Sequence, residues 1–224
     1  MNFLRIPFIE NLLLKLLSFL AEILGNYGLA IIATTIIIKL ILYPLTVKQE
    51  KSMAKMKKYQ PEIDAINKKY KSDRAKLSEE TTKLYREKGI NPLGGCLPLL
   101  IQLPIFIMLY HTFTSNAIPK TASFLWFNLA QPDRLYTISG FDINLLPLLG
   151  GLLSFVQQRI MMPKNSDSAG AENTMQTALL AMPVIMTFFF YRLPSGLNLY
   201  YVLNMLITLL LQRYIQAKVR EENE

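Results

Sequence analysis

Cysteine, histidine and tryptophan occur once each in this 224-residue chain, as Cys96, His111 and Trp126. A single cysteine excludes an intramolecular disulfide. A lone histidine cannot build a metal cluster, and His111 reads as structural. There is no G-x-x-x-x-G-K-S/T run, so a nucleotide-hydrolysing phosphate loop is excluded. No Ser/His/Asp set falls within the apolar segments, which argues against an intramembrane protease. The expectation is therefore a protein with no catalytic residues, no metal and no cofactor, and not an enzyme. A cleaved export signal is also missing: residues 1–24 are apolar but interrupted by Arg5, Glu10, Lys15 and Glu22, with no small-residue cleavage site. The lack of an Arg- and Ser-rich transit peptide favours a bacterial plasma membrane.

Charge is scarce where it matters most. Between Ile23 and Val47 the only charged side chain is Lys39, and none occurs over 89–119, 143–158, 173–191 or 193–212. Roughly 17–25 predominantly apolar helical residues cross a bilayer core, so most of these intervals are of spanning length. A large soluble helical core is the alternative, but its helices would carry a polar stripe that these segments mostly lack.

The chain is expected to be an all-α membrane protein with five transmembrane helices. Residues 1–25 place Leu, Ile and Phe around spaced charges, as an interfacial amphipathic helix does. Gly25, Asn26 and Gly28 break that pattern before a first transmembrane helix over 26–45, closed by Pro44. Residues 46–91 hold 13 Lys or Arg against 7 Asp or Glu, with apolar residues at helical spacing (Met53, Met56; Ile63, Ile66, Tyr70; Leu77, Leu84, Tyr85). The turn Lys71-Ser72-Asp73 divides them into a cytoplasmic antiparallel helical hairpin, and Pro61 kinks or restarts its first arm. The remaining transmembrane helices are expected over 94–114, 143–163, 175–191 and 197–215. They are joined by an outer loop (115–142), a cytoplasmic loop (164–174) and a tight Arg192-Leu-Pro-Ser-Gly turn, and followed by a tail (216–224). Phe124, Trp126, Phe127 and Tyr136 in the outer loop suit an aromatic interfacial belt. The Gly94-Gly95 and Gly150-Gly151 pairs read as points of close helix packing.

Basic residues set the topology. The 46–91 hairpin, Arg159 with Lys164, and Lys218 with Arg220 fall on one side; the opposite side has fewer basic residues. The basic side is cytoplasmic, with the N-terminus outside and the C-terminus inside. The same bias accounts for the basic hairpin without sequence-specific nucleic-acid recognition.

Lys39 lies about six residues from the cytoplasmic end of its span, roughly 9 Å of helix. A central lysine costs about 2.5–3.5 kcal/mol on insertion scales, so it either snorkels or has a polar environment. Thr35, Lys39 and Tyr43 follow an i, i+4, i+8 spacing on one face. Other spans offer Gln102, Ser154 with Gln157, and Tyr201, Asn204 and Thr208. Each could be interhelical hydrogen-bonding glue, worth about 0.6 kcal/mol; together they could line one hydrated groove. With no acid inside any expected span, Lys39 would be poised for an anionic visitor.

Several runs resemble the YidC/Oxa/Alb family of membrane-protein insertases. They are Asn91-Pro-Leu-Gly-Gly-Cys-Leu-Pro-Leu-Leu-Ile-Gln-Leu-Pro-Ile-Phe106, Tyr43-Pro-Leu-Thr-Val-Lys-Gln49, Ser52-Met-Ala-Lys-Met56, Gln60-Pro61, Met182-Pro-Val-Ile185 and Pro194-Ser-Gly-Leu-Asn-Leu-Tyr-Tyr201. They occur in the family's order over about residues 28–215. The resemblance implies a five-span core and a groove open to cytoplasm and lipid but closed toward the outside. Lys39 corresponds to its groove cation, and Gln102 and Gln157 to its polar lining. Implied partners are nascent membrane proteins with short acidic or polar outer segments, the lipid bilayer, and as candidates the ribosome and a Sec translocon. Two departures stand out: lysine replaces the arginine of many bacterial members, and their large outer domain has no counterpart here. The rival reading is a small transporter or channel using the same polar stripe.

Overall fold

The computed structural model describes residues 7–91, 97–114, 118–138, 141–161 and 171–221. Helix α1 spans Pro7–Leu24 and α2 Tyr27–Lys58. Asn26 caps α2, its Oδ1 accepting from Gly28 N at 2.7 Å and Leu29 N at 3.3 Å, which satisfies amides that have no intrahelical acceptor. Pro44 does not close the helix as expected; α2 runs through it for 32 residues. A proline removes one ladder hydrogen bond, but the Lys-, Met- and Gln-rich segment beyond it favours helix and propagates the turn.

Beyond α2, Gln60–Lys69 forms α3 and Arg74–Lys88 forms α4. Pro61 lies in the first turn of α3, so it starts a new helix rather than kinking an old one. Asp73 caps α4 through Lys76 N, and Gly89 ends it in the left-handed conformation at φ 61°. Ile63, Leu84 and Ile90 are buried in this region. The Lys88–Glu62 pair at 3.5 Å is largely exposed, so it adds little.

Leu97–Thr114 is α5, Leu145–Met161 α6, Ala171–Phe190 α7 and Ser195–Glu221 α8. Helix α7 starts at Ala171, inside the segment expected as loop, and α8 carries on through most of the expected tail. Between α5 and α6 lie two short antiparallel ribbons, β1 (Ser123–Phe124) with β2 (Phe127–Asn128) and β3 (Tyr136–Ile138) with β4 (Phe141–Ile143). Residues 92–96, with the Gly94-Gly95 pair, and 162–170 lie outside the described residues. Among the described residues two helices, α2 and α8, are long and apolar enough to cross a membrane; Ile101–Thr114, Leu145–Ile160 and Ala181–Phe190 are shorter apolar stretches.

The apolar core gathers where α2, α6 and α8 begin and α5 ends. It comprises Leu17, Ala30, Ile31, Leu109, Phe113, Leu129, Leu146, Leu197 and neighbours. The ribbon segment covers this loop end. Asp133, fully buried, accepts from Trp126 Nε1 at 3.1 Å and from Leu146 N at 2.9 Å. Ser195 N and Gly196 N donate to Gln131 O and Leu129 O at 2.7 and 3.0 Å, so loop carbonyls satisfy the first amides of α8. Gly28 lies directly against the Phe124 ring, leaving no room for a Cβ there.

Candidate functional site

Helix α8 is the hub of the polar contacts. Thr208 Oγ1 accepts from Lys39 Nζ at 2.7 Å and donates to Asn204 O at 2.6 Å. Tyr200 OH accepts from Gln102 Nε2 of α5 at 2.9 Å. Tyr201 OH lies 2.6 Å from Ser154 Oγ of α6. Ser154 spends its single proton on Gly150 O at 2.8 Å, so Tyr201 is the donor to it. At about 100° per residue, Tyr200, Asn204, Thr208 and Tyr201 share one sector of α8 roughly 100° wide. That sector therefore meets α2, α5 and α6 in turn. Gly150 lets the Tyr201 ring approach α6 closely, and Gly151 does the same for Thr187 of α7.

The expected residues separate into groups. Lys39, Asn204 and Thr208 form one cluster, while Gln102 and Ser154 each meet a tyrosine of the same helix. Gln157 sits half-buried one turn beyond Ser154. Thr35 is only 1% exposed and turns its hydroxyl back to Ile31 O at 2.7 Å, whereas Tyr43 is 39% exposed. Of that spaced trio, Lys39 alone reaches across to α8 in these contacts.

Packing along α2 is discontinuous. Its buried residues are Gly28, Ala30, Ile31, Thr34 and Thr35, followed only by Gln49 and Glu50. Lys39 falls within the intervening stretch, where no residue of α2 is fully buried and Lys39 itself is half-buried. Among the described residues no carboxylate pairs with it; its partner is a neutral hydroxyl.

Sequence reasoning missed Tyr200, Glu50 and Gln212. Glu50 is 5% exposed and Gln212 1% exposed. Glu50 follows Lys39 by 11 residues, close to three full turns, and so shares its face. It belongs to the charged part of α2 beyond the expected span. The available signal was a glutamine in the apolar run of α8 and an acid in phase with the lysine.

Comparison with known proteins points one way. A family model described as 60Kd inner membrane protein matches residues 19–222. The membrane protein insertase YidC of Fusobacterium nucleatum is 45% identical over 215 residues, covering 94% of this chain and 98% of the relative. That of Pelobacter propionicus is 42% identical over 214 residues, and the match covers 93% of this chain but 38% of the relative. A crystal structure of active YidC insertase with its first transmembrane domain resolved superposes with a TM-score of 0.66 at 37% identity, covering 92% of this chain and 46% of that one.

Proposed function

The chain belongs to the 60Kd inner membrane protein family, and from that membership we propose that it inserts nascent proteins into the bacterial plasma membrane through a hydrated, cationic groove. In this reading α2, α5, α6, α7 and α8 are the five spans, α1 lies in the interface, and the basic segment including α3 and α4 faces the cytoplasm. The N-terminus is outside and the C-terminus inside. Lys39, with Thr35, Tyr43, Gln102, Ser154, Gln157, Tyr201 and Asn204, belongs to the groove and its lining.

One observation carries the reading. A half-buried lysine sits on the stretch of α2 that has no fully buried residue, held by a hydroxyl rather than by a counter-ion. An isolated charge at membrane depth is costly, so this position is best accounted for by water and a transient anionic partner. The acidic outer segment of a substrate would displace Thr208 from Lys39. Hydration shortens the apolar path and lowers the desolvation cost of polar groups in transit. The substrate's apolar helix then leaves sideways into lipid, and its burial drives the step without nucleotide hydrolysis. A membrane potential positive outside favours outward movement of each acidic residue by about 2.3 kcal/mol per 100 mV. The packed loop end, with Asp133 and the α8 amides tied to the ribbon segment, supports closure toward the outside and disfavours a transporter path open at both faces.

The test is rescue of a depleted strain with Lys39→Arg, Lys39→Ala and Lys39→Glu, scored on insertion of an acidic-tailed single-span substrate. Arginine should restore insertion, alanine should impair it and glutamate should impair it most. Equal insertion by the alanine and parent proteins on every substrate would remove the electrostatic role. Crosslinking from Gln102 and Gln157 to a stalled nascent chain tests the lining separately, and contact from neither position would refute it.

A further inference from the structure

The β1–β2 ribbon carries a feature that its packing does not explain. Its strands pair Phe124 with Phe127, so Leu125 and Trp126 alone make the connecting turn. Leu125 has φ 54°, the one positive value outside glycine among the described residues. A two-residue hairpin turn with positive φ at its first position ordinarily takes glycine, because a Cβ there crowds the following carbonyl. Leucine accepts that strain with no packing in return, since its side chain is 71% exposed. An exposed leucine needs no account by itself; a strained one does. Trp126 beside it is 49% exposed, although its Nε1 donates to the fully buried Asp133 at 3.1 Å. Phe127 is buried in the core and Phe124 packs against Gly28. The ribbon is thus rooted through its strands and bare at its tip.

We propose that Leu125 and Trp126 form an apolar wedge seated in the headgroup–acyl boundary of the outer leaflet, with phospholipid as its partner. The placement rests on the reading of α2 and α8 as spans that begin outside. Both roots of the ribbon sit at the starts of those helices: Asn26 Nδ2 donates to Ser123 O at 3.3 Å, and Gly196 N to Leu129 O at 3.0 Å. Two residues of strand carry the chain only about 7 Å, so the tip stays near the level at which both helices leave the bilayer. An exposed apolar stripe adjoins it on the same side of the bundle. Leu12, Phe19 and Ile23 of α1, spaced i, i+7 and i+11, are all exposed, and α1 ends two residues before Asn26.

The charges around the tip suit phosphate. Over 118–138 the charged residues are Lys120, Asp133 and Arg134. The acid is fully buried, whereas Lys120 and Arg134 are exposed. Arg134 follows the residue that holds the Trp126 indole, and its Nε lies 3.0 Å from Asp142 Oδ2. That carboxylate also accepts from Thr137 Oγ1 at 2.7 Å, so its charge is engaged within the second ribbon. The wedge is therefore an apolar tip flanked by cations, as a lipid surface of acyl chains beneath phosphates requires. Trp126 has the same division within one side chain, an apolar ring with its N–H held by a polar group.

Trp126 is the single tryptophan of the chain, so its fluorescence reports the depth of the tip directly. The test reconstitutes the full chain in phospholipid vesicles, floats them, and measures quenching by lipids brominated shallow or deep in the acyl chain and by aqueous acrylamide. The shallow bromine should quench most and acrylamide little. Leu125→Asp, which tolerates the left-handed backbone, should cut the shallow quenching several-fold and raise that by acrylamide. Leu125→Gly removes both the strain and the apolar side chain. It should reduce lipid quenching while the thermal midpoint in detergent stays at or above that of the parent. Floating protein whose Trp126 is quenched by acrylamide and by neither lipid overturns the wedge, as does a Leu125→Asp variant quenched like the parent. Weak quenching by all three agents puts a second copy of the chain over the tip and overturns the lipid assignment. A midpoint lowered by Leu125→Gly gives the leucine to the fold instead. Protein that does not float removes the reading of the spans along with the wedge, which tells the two failures apart.

Discussion

The two ends of the helical bundle are built by different rules. At the loop end, residues such as Leu129 and Leu197 are fully buried and the first amides of α8 are met by loop carbonyls. Toward the other end polar ties centred on α8 join the helices beside the buried Leu209 and Ile215, and no residue of α2 between Thr35 and Gln49 is fully buried. Dense packing tolerates neither voids nor rearrangement, whereas isolated hydrogen bonds can be exchanged for those of a visiting chain at small net cost. The contrast fits a bundle that must stay sealed at one end and yield at the other.

The contrast can be broken most forcefully at Leu197. Leu197→Ala should destabilise the fold by about 2–5 kcal/mol, the range for a fully buried leucine, as a lowered thermal midpoint in detergent. Asp133→Ala orphans the Trp126 and Leu146 donors and should cost about 1–3 kcal/mol by the same assay. Tyr200→Phe deletes the Gln102 tie and should cost only about 0.6 kcal/mol. Leu40→Ala, on a side chain 67% exposed, should change stability by less than about 0.5 kcal/mol. A Leu40 effect as large as that of Leu197 would show that the middle of α2 is packed after all.

Much of the helical layout was legible because uncharged runs and turn residues are local signals. Asp73 and Gly89 bracket α4, and Pro61 marks the start of α3, as their chemistry dictates. The ribbons between α5 and α6 were not legible: each strand has only two or three residues, and they are held by contacts to Asp133 and α8 that no local pattern encodes. For the site, Lys39 stood out as a lone charge, and Ser154, Asn204 and Thr208 as polar atoms in apolar runs. Tyr200 was hidden because a tyrosine in an apolar run reads as core. Thr35 was grouped with Lys39 by spacing alone, and spacing cannot tell a packed face from an open one one turn away. Glu50 falls outside the expected first span because Pro44 reads as a boundary.

Pro44 has a mechanical consequence for α2. Thirty-two residues of helix make a shaft about 48 Å long, clamped near one end by Gly28, Ala30, Ile31, Thr34 and Thr35. A proline inside a helix withholds the amide that would brace the carbonyl four residues earlier, and here it does so in the stretch that has no fully buried residue. The shaft is jointed where it is least supported. Beyond the joint Gln49 and Glu50 are buried again and Ser52 and Lys57 reach Asn91 O and Ile160 O, so the shaft is anchored on both sides and any flexing is confined to the joint.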